Sequence, residues 1–314
     1  MKLVITGAIG HIGSRLIREL PSRFPGAEIV MIDNMMTQRY PSLFNLSDNI
    51  NYKFFETDVL STDLVPIIEN ASVVIHLAAI TDAAGSFDKK ELVEKNNFFA
   101  TEKVANACCS VGTPLIHLSS TSVYGTQNEI VDEDCSLEEL KPQSPYAETK
   151  LREEQYLVEL SKNDKLRFIT CRFGTICGVS PGMRFHTAVN KFCWQAVMGQ
   201  PLTVWETALH QKRPYLTLDD AVSAVFHIID KNLFDNRTYN VLTDNLTVDS
   251  IVKYISQKIP DIKINFVKSK IMNQLSYNVA NERFKATGFI FKGKVEKSIF
   301  ETIELLRNSN TITR

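Results

Sequence analysis

No two cysteines of this chain stand at Cys-x-x-Cys spacing, and the six cysteines do not alternate with the six histidines at ligand-like intervals. A zinc module or a disulfide framework is therefore not expected, and no metal site is read. Cys108, Cys109, Cys135, Cys171, Cys177 and Cys193 read as reduced thiols, with Cys108 and Cys171 set in apolar surroundings. A long hydrophobic run is also missing. The most apolar stretch, residues 71–80, is too short to span a bilayer and contains His76. Charge of one sign is not in excess: 35 Lys and Arg face 36 Asp and Glu, interspersed, for a net charge of −1. That balance offers no basic groove to nucleic acid and no basic face to an anionic membrane. Internal repeats and low-complexity segments are absent, and the chain opens on a strand pattern instead of the charged and apolar regions of a signal peptide. The expectation is a cytoplasmic enzyme of 314 residues, long enough for one large α/β domain or two modest ones.

Glycine is sparse, yet three of the 13 glycines fall within the opening MKLVITGAIGHIG. A short apolar strand runs straight into Gly7, Gly10 and Gly13, and an amphipathic helical pattern begins at Ser14. The first glycine permits a tight turn, the second lets the main chain approach a pyrophosphate, and the third lets helix pack on strand. The helix N-terminus then presents N–H groups to the phosphates. His11 and Ile12 occupy the variable positions of this loop. A dinucleotide site also needs an acid about twenty residues on, at the end of the second strand. Asp33 stands there. A carboxylate at that point accepts hydrogen bonds from an adenosine ribose diol and repels a 2′-phosphate, so NAD is favoured over NADP. Arg39 lies near enough in sequence to pair with such a phosphate, and leaves that preference open to it.

Strands are expected at residues 2–6, 28–32, 51–55, 72–77, 114–119 and 167–171, mostly short runs rich in Val and Ile. Helices fit between them at 14–20, 64–70, 91–111 and 146–162. This alternation predicts right-handed crossovers and a Rossmann-type doubly wound parallel sheet, with ligand at the carboxyl ends of its strands. After Arg172 the regularity breaks into helices at 187–198, 218–230 and 248–258 and short strands at 202–205 and 239–242. The expectation is an NAD-binding domain over 1–172 and a smaller mixed α/β substrate-binding lobe over 173–314, some segments of which return to the main sheet.

Tyr146 and Lys150 stand four residues apart at the start of a helix, one turn apart on one face. A free phenol titrates near ~10 and is a poor base at neutral pH. An ammonium beside it favours the phenolate and makes it a proton acceptor for an alcohol. Upstream, the fifth strand ends in Ser119-Ser120-Thr121-Ser122, so a serine hydroxyl would face the same crevice. His76 reads as a packed or cofactor-adjacent residue rather than a base. Phe192 and Trp194 read as core on a helix that could also line the cleft, and Phe98 and Phe99 as packing residues.

These stretches resemble the extended short-chain dehydrogenase/reductases, in particular the NAD-dependent nucleotide-sugar epimerase/dehydratase group typified by UDP-galactose 4-epimerase. TGAIGHIG is similar to the T-G-x-x-G-x-x-G loop, Asp33-Asn34 to the D-N pair, and Asp58-Val59 to the acidic-apolar pair that meets the adenine. His76-Leu77-Ala78-Ala79 resembles the H-L-A-A strand end beside the cofactor. Asn97 with Ala100-Thr101 resembles N-x-x-G-T, departing at the glycine. Ser119 to Gly125 resembles S-S-x-x-V-Y-G, with Ser120 at the catalytic Ser/Thr. Ser144 to Lys150 resembles S-P-Y-x-x-S-K, with Thr149 for the serine. The segment from Gln211 to Ala221 is similar to Q-x-R-D-(F/Y)-x-x-V-D-D, whose arginine holds the diphosphate of a nucleotide sugar, so Arg213 inherits that role. The resemblance implies that Tyr146 takes a proton from a sugar hydroxyl while NAD accepts the hydride. Ser120 and Thr121 would orient the reacting C–O group, and the keto sugar would be reduced on its other face. It also implies a homodimer across the helices bearing Glu91 and Tyr146, whose outer faces are expected to carry Val104, Ala107, Leu151 and Leu157.

Three departures fall on the substrate side. Thr121-Ser122 replaces the Asp-Glu of sugar 4,6-dehydratases, so dehydration is not expected. Thr175 replaces the asparagine usual in UDP-galactose 4-epimerases, and residues 205–213 form a longer turn without glycine. The sugar and nucleotide therefore do not follow from the resemblance. Three readings stand: a nucleotide-sugar epimerase, a dehydrogenase or reductase with net redox turnover, and a non-catalytic NAD-binding sensor.

Overall fold

A computed structural model describes residues 1–81, 85–125, 130–164, 166–268 and 277–309. In chain order the strands are β1 (Lys2–Thr6), β2 (Glu28–Asp33), β3 (Asn51–Glu56), β4 (Val73–His76), β5 (Leu115–Ser120), β6 (Ile130–Val131) and β7 (Phe168–Phe173). They continue as β8 (Thr175–Cys177), β9 (Leu202–Trp205), β10 (Lys212–Thr217), β11 (Thr238–Val241), β12 (Asp244–Thr247), β13 (Ile264–Val267) and β14 (Asn278–Val279). The helices are α1 (Gly13–Arg23), α2 (Val65–Ile68), α3 (Lys90–Val111), α4 (Pro145–Asp164) and α5 (Ala188–Val197). After these come α6 (Leu218–Lys231), α7 (Val248–Ser256), α8 (Glu282–Ala286) and α9 (Val295–Leu306).

Strands buried on both faces read as continuous Val and Ile runs because successive side chains point to opposite layers. In β1, Leu3 and Ile5 pack with Leu16, Ile17 and Leu20 of α1 and with Val225 and Ile228 of α6. Val4 between them faces the other way, into Val104 and Cys108 of α3 and Leu157 and Leu160 of α4. The result is a seven-stranded sheet in the order β11-β7-β5-β4-β1-β2-β3. Every pairing in it is parallel. The chain steps from β1 to β2 on one side and from β3 across to β4 on the other, so the strand order reverses between β1 and β4. That reversal opens a crevice at the carboxyl ends of the two strands. The expected alternation is present, with element ends shifted by a residue or a few. β11 returns from the second half of the chain to lie beside β7.

A separate core holds α5, α7, α9, β9 and part of β10. Phe192 and Cys193 of α5, Tyr215 of β10, Ile251 of α7 and Ile299 of α9 pack together beside a three-stranded sheet, β12-β10-β8. Thr217 caps α6, its hydroxyl accepting the Asp220 N–H at 3.2 Å, which turns the end of β10 directly into the helix.

The structure corrects two sequence expectations. Val104, Ala107 and Leu157 are not on outer faces; they are buried because α3 and α4 lie side by side on the sheet, and Leu151 packs partly buried against Val123 and Tyr124. Trp194 is 38 % exposed, so it is not core; Phe99, though exposed on one side, packs edge-on against Phe98, with 5.6 Å between ring centroids. Phe192 and the cysteines follow expectation: Phe192 is buried, and all six thiols are free, Cys108 and Cys171 fully buried. Among the described residues no helix is long and apolar enough to cross a membrane.

Candidate active site

The loop between β1 and α1 is built by close backbone contacts that exclude side chains. Gly7 has φ +67°, and a Cβ there would stand 2.7 Å from the Ala78 nitrogen and Leu77 carbonyl carbon at the end of β4. A Cβ on Gly13 would stand 2.5 Å from the Gly7 oxygen. Gly10 differs: a Cβ there would meet the Gly7 oxygen at 3.2 Å and otherwise little but the Arg39 guanidinium at 3.8 Å. Two glycines thus let the turn fold onto strand and helix, and the middle one keeps the main chain bare toward a cavity.

That cavity, about 360 Å³, is lined by Gly7, Gly10, His11, Ile12 and Gly13 of the loop, Leu77 and Ala79 beyond β4, Ser120 at the end of β5 and Thr121 after it, Tyr146 and Lys150 of α4, Thr175 of β8, and Arg213 of β10. The loop, the serine-rich strand end, the phenol–ammonium pair and the substrate-side residues therefore share one enclosure. Asp33, Asn34, Asp58, Val59, Ala78 and Asn97 are not on its wall, but most of them brace it. Asp33 accepts the Ile9 N–H at 3.2 Å and the Met35 N–H at 3.0 Å, which fixes its carboxylate against the loop. Burial nonetheless raises its pKa, opposed by those two bonds and by Arg39. Asn34 donates to Asp58 at 3.0 Å, Val59 is buried, and the Ala78 N–H donates to Thr6 at 3.3 Å. Asn97 accepts the Ile80 N–H at 2.8 Å and donates to the Ile80 carbonyl at 2.9 Å, tying α3 to the segment after β4. Arg39 also lines the cavity.

At the reacting end, Ser120 ends β5 and caps the 3₁₀ turn that follows. Its hydroxyl oxygen accepts the Ser122 N–H at 3.2 Å and the Ser122 hydroxyl at 2.9 Å. Because that oxygen accepts twice, its own proton remains to be donated into the cavity. Thr121 instead donates to the Phe173 carbonyl at 3.3 Å. His76 is hydrogen-bonded at both ring nitrogens, to Thr6 at 2.7 Å and Thr101 at 3.2 Å. Burial, with Lys150 nearby, lowers its pKa to about 3, so it stays neutral and is no base. His11 meets the Ser180 hydroxyl at 2.9 Å, and burial beside Arg184 and Arg39 lowers it also to about 3.

The substrate end is cationic. Arg213 lies over the Trp205 ring, 5.5 Å from its centroid, and its Nε and Nη2 are buried with no hydrogen-bond partner. Guanidinium N–H groups held dry and unpaired are positioned for an anion. Arg184, His186 and Lys191 line the same region; the sequence reading missed them because they sit where the strand–helix alternation lapses. It also missed Glu153 and His117, buried behind Lys150. Glu153 could have been found, since it is three residues from Lys150 and shares its helix face.

The match to known proteins covers most of the chain. Residues 3–241 fit the model of the NAD dependent epimerase/dehydratase family. A trifunctional UDP-glucose 4,6-dehydratase/UDP-4-keto-6-deoxy-D-glucose 3,5-epimerase/UDP-4-keto-L-rhamnose-reductase of Arabidopsis thaliana is 28 % identical over 96 % of this chain and 46 % of its own length. A dTDP-D-glucose 4,6-dehydratase of Dictyostelium discoideum is 29 % identical over 77 % of this chain and 58 % of its own length. The chain thus spans about half the length of these relatives. Among solved structures, the UDP-glucuronic acid 4-epimerase of Bacillus cereus, in complex with UDP-glucuronic acid and NAD, shares the fold with a TM-score of 0.87. It is 24 % identical, and the likeness covers 98 % of this chain and all of that one. The bare glycine cradle and the acid fixed beside it fit the cofactor this family uses: the chain belongs to the NAD-dependent epimerase/dehydratase family of extended short-chain dehydrogenase/reductases, and NAD is its cofactor.

Proposed function

We propose that this protein is a nucleotide-sugar epimerase that inverts one sugar carbon, C4 in this reading, through a transient keto sugar. The observation that carries the reading is the charge make-up of the cavity. Arg39, Lys150, Arg184, Lys191 and Arg213 line it, and no Asp or Glu does among the described residues. Cationic walls suit ligands rich in phosphate. Thr121 and Ser122, which follow Ser120, supply neither acid nor base at neutral pH, and this argues against dehydration, which needs both beyond the phenol.

Gly7, Gly10, His11, Ile12 and Gly13 would cradle the NAD diphosphate, Asp33 and Asn34 its adenosine ribose, and Asp58 and Val59 its adenine. Leu77, Ala78, Ala79 and Asn97 would flank it at the end of β4. NAD when bound supplies reversible hydride chemistry, so the sugar is oxidised and reduced with no net redox change. Tyr146 accepts the proton of the reacting hydroxyl and later returns it, and Lys150 keeps the phenolate stable. Ser120 donates its free O–H to the reacting oxygen. Thr121 and Thr175 contact the sugar, and Arg213 pairs with the diphosphate. Leu92 and Phe99 on α3 and Val158 on α4, all exposed, would lie in a homodimer contact.

Incubation with UDP-glucose, UDP-glucuronic acid and UDP-N-acetylglucosamine, followed by proton NMR, tests the reading. The expected result is a 4-epimer of one of them with no change in reduced-nicotinamide absorbance. Stoichiometric growth of that absorbance would make the protein a dehydrogenase, and a product lighter by one water would make it a dehydratase.

A further inference from the structure

Behind the cavity, a line of polar side chains runs from α4 into the sheet. Tyr146, Lys150 and Glu153 follow one another along one face of the helix. The Lys150 ammonium donates to Glu153 Oε2 at 2.8 Å. His117 Nε2, from β5, meets the same oxygen at 2.8 Å, and His117 Nδ1 meets the Thr170 hydroxyl of β7 at 3.3 Å. The arrangement is self-consistent if Nε2 carries the imidazole proton and Thr170 donates to Nδ1. Glu153 and His117 are fully buried, and the Lys150 side chain is 5 % exposed. Glu153 Oε1 has no hydrogen-bond partner, so Lys150 and His117 dictate where this carboxylate sits.

The next residue along the helix is differently employed. Glu154 forks onto Arg172 of β7, at 3.0 Å to Nε and 2.7 Å to Nη2, and accepts the Ser119 hydroxyl. That cluster braces α4 against the strands and makes no hydrogen bond to Lys150. Two adjacent glutamates thus divide the work, one clamping the sheet and one loaded onto the ammonium.

We propose that Glu153, held by His117, is a positioning residue that keeps Lys150 charged and fixed beneath Tyr146; the inference rests on Tyr146 and Lys150 being the proton-transfer pair. An isolated ammonium in a dry site sheds its proton readily. A neutral lysine would no longer favour the phenolate. The groups facing Lys150 are Tyr146, Glu153 and Glu154 of α4, His117 of β5 and His76 of β4, with Arg172 of β7 behind Glu154. Burial works to lower the pKa of Lys150, and Glu153, with smaller help from Tyr146 and Glu154, outweighs it and leaves it raised. Burial in turn would raise Glu153, yet Lys150 and His117 hold it down to about 2. His117 is lowered by burial and stays neutral at pH 7.

The test reads Lys150 directly, in the NAD-bound protein carrying lysine labelled with carbon-13 at Cε, its signal assigned by its loss in Lys150→Met. In the unmodified protein the signal should stay that of an ammonium beyond the ordinary lysine value of ~10.4. In Glu153→Gln it should titrate at least about one pH unit lower. The alkaline limb of kcat should follow it, with KM for the nucleotide sugar unchanged. Glu153→Asp, which keeps the charge on a shorter arm, should restore the titration while kcat stays about tenfold low from misplacement of the ammonium. Glu154→Gln, which loosens only the brace, should lower the melting temperature and leave the Lys150 titration in place. Coincident titrations in the unmodified protein and Glu153→Gln would overturn the proposal, as would an equal shift in Glu154→Gln. If Glu153→Gln does not fold, unmodified kcat in Glu153→Asp overturns it. Separate titrations without turnover of any nucleotide sugar would instead remove the epimerase reading and leave the clamp standing.

Discussion

The two ends of the cavity treat charge in opposite ways. Around Lys150 the protein pairs its own charges: Lys150 with Glu153, and Arg172 with Glu154. There Glu153 Oε1 and Arg172 Nη1 lack a partner, but belong to ions already paired through their other atoms. Around Arg213 no carboxylate lines the cavity among the described residues, and two guanidinium nitrogens are buried without a partner, as is Thr187 Oγ1. Each such group costs about 1–3 kcal/mol while unsatisfied, a penalty that a complementary ligand removes. In the proposed reaction one end is therefore preorganised for proton transfer, in the sense that its charges are already paired before substrate arrives. The other is built to be completed by its ligand. The contrast separates groups that set rate from groups that set affinity.

Three substitutions probe that separation. Tyr146→Phe removes the phenolic oxygen at the preorganised end and leaves the glycine cradle intact. Turnover should fall by roughly three orders of magnitude or more while NAD, quantified by release on denaturation, stays bound; unaltered turnover would assign the base elsewhere. Arg213→Met removes the unpaired cation at the other end. Loss of charge-assisted hydrogen bonds worth about 1.5–3 kcal/mol should raise KM by roughly ten- to a hundredfold with kcat nearly constant. A fall in kcat alone would erase the distinction between the two ends. Gly182→Ala tests the seam between them. A Cβ at Gly182 would collide with the carbonyl oxygens of Ile9 and Gly10, where the segment carrying Arg184 crosses the dinucleotide loop, so a cost of about 1–3 kcal/mol is expected. It should appear as a lower melting temperature and weaker NAD retention together, and intact NAD retention would show the loop to be independent of that segment.

How far the sequence could be read differs sharply along the chain. The β1–loop–α1 unit was legible because its signals are local: strand, glycine spacing and helix follow within 23 residues, and Asp33 ends the very next strand. Tyr146, Lys150 and Ser120 were legible for the same reason, each sitting at the end of an element whose periodicity is clear. Burial was less so. Val104, Ala107 and Leu157 were assigned to outer faces, yet α3 and α4 turn those residues onto the sheet and toward each other. Trp194 was assigned to the core but stands partly in solvent, since an aromatic on a helix does not by itself say which side is covered. Arg184 and His186 were passed over because the loop before α5 has no period to follow, and Lys191 because a lysine on a helix does not by itself point to a cavity.

The sequence by itself determined the order of strands and helices, the glycine cradle and the acid beside it, because those depend on steric rules and spacings that act over a few residues. It also marked Ser120, Tyr146 and Lys150, which the fold brings to one cavity. Only the tertiary structure decided which charges meet. His117 and Glu153 stand 36 positions apart, and Arg172 and Glu154 stand 18 apart. Each pair forms where α4 crosses the sheet. Whether an ion is paired, dry or left for a ligand depends on what the fold places within a few ångströms of it, and neighbours along the chain do not specify that.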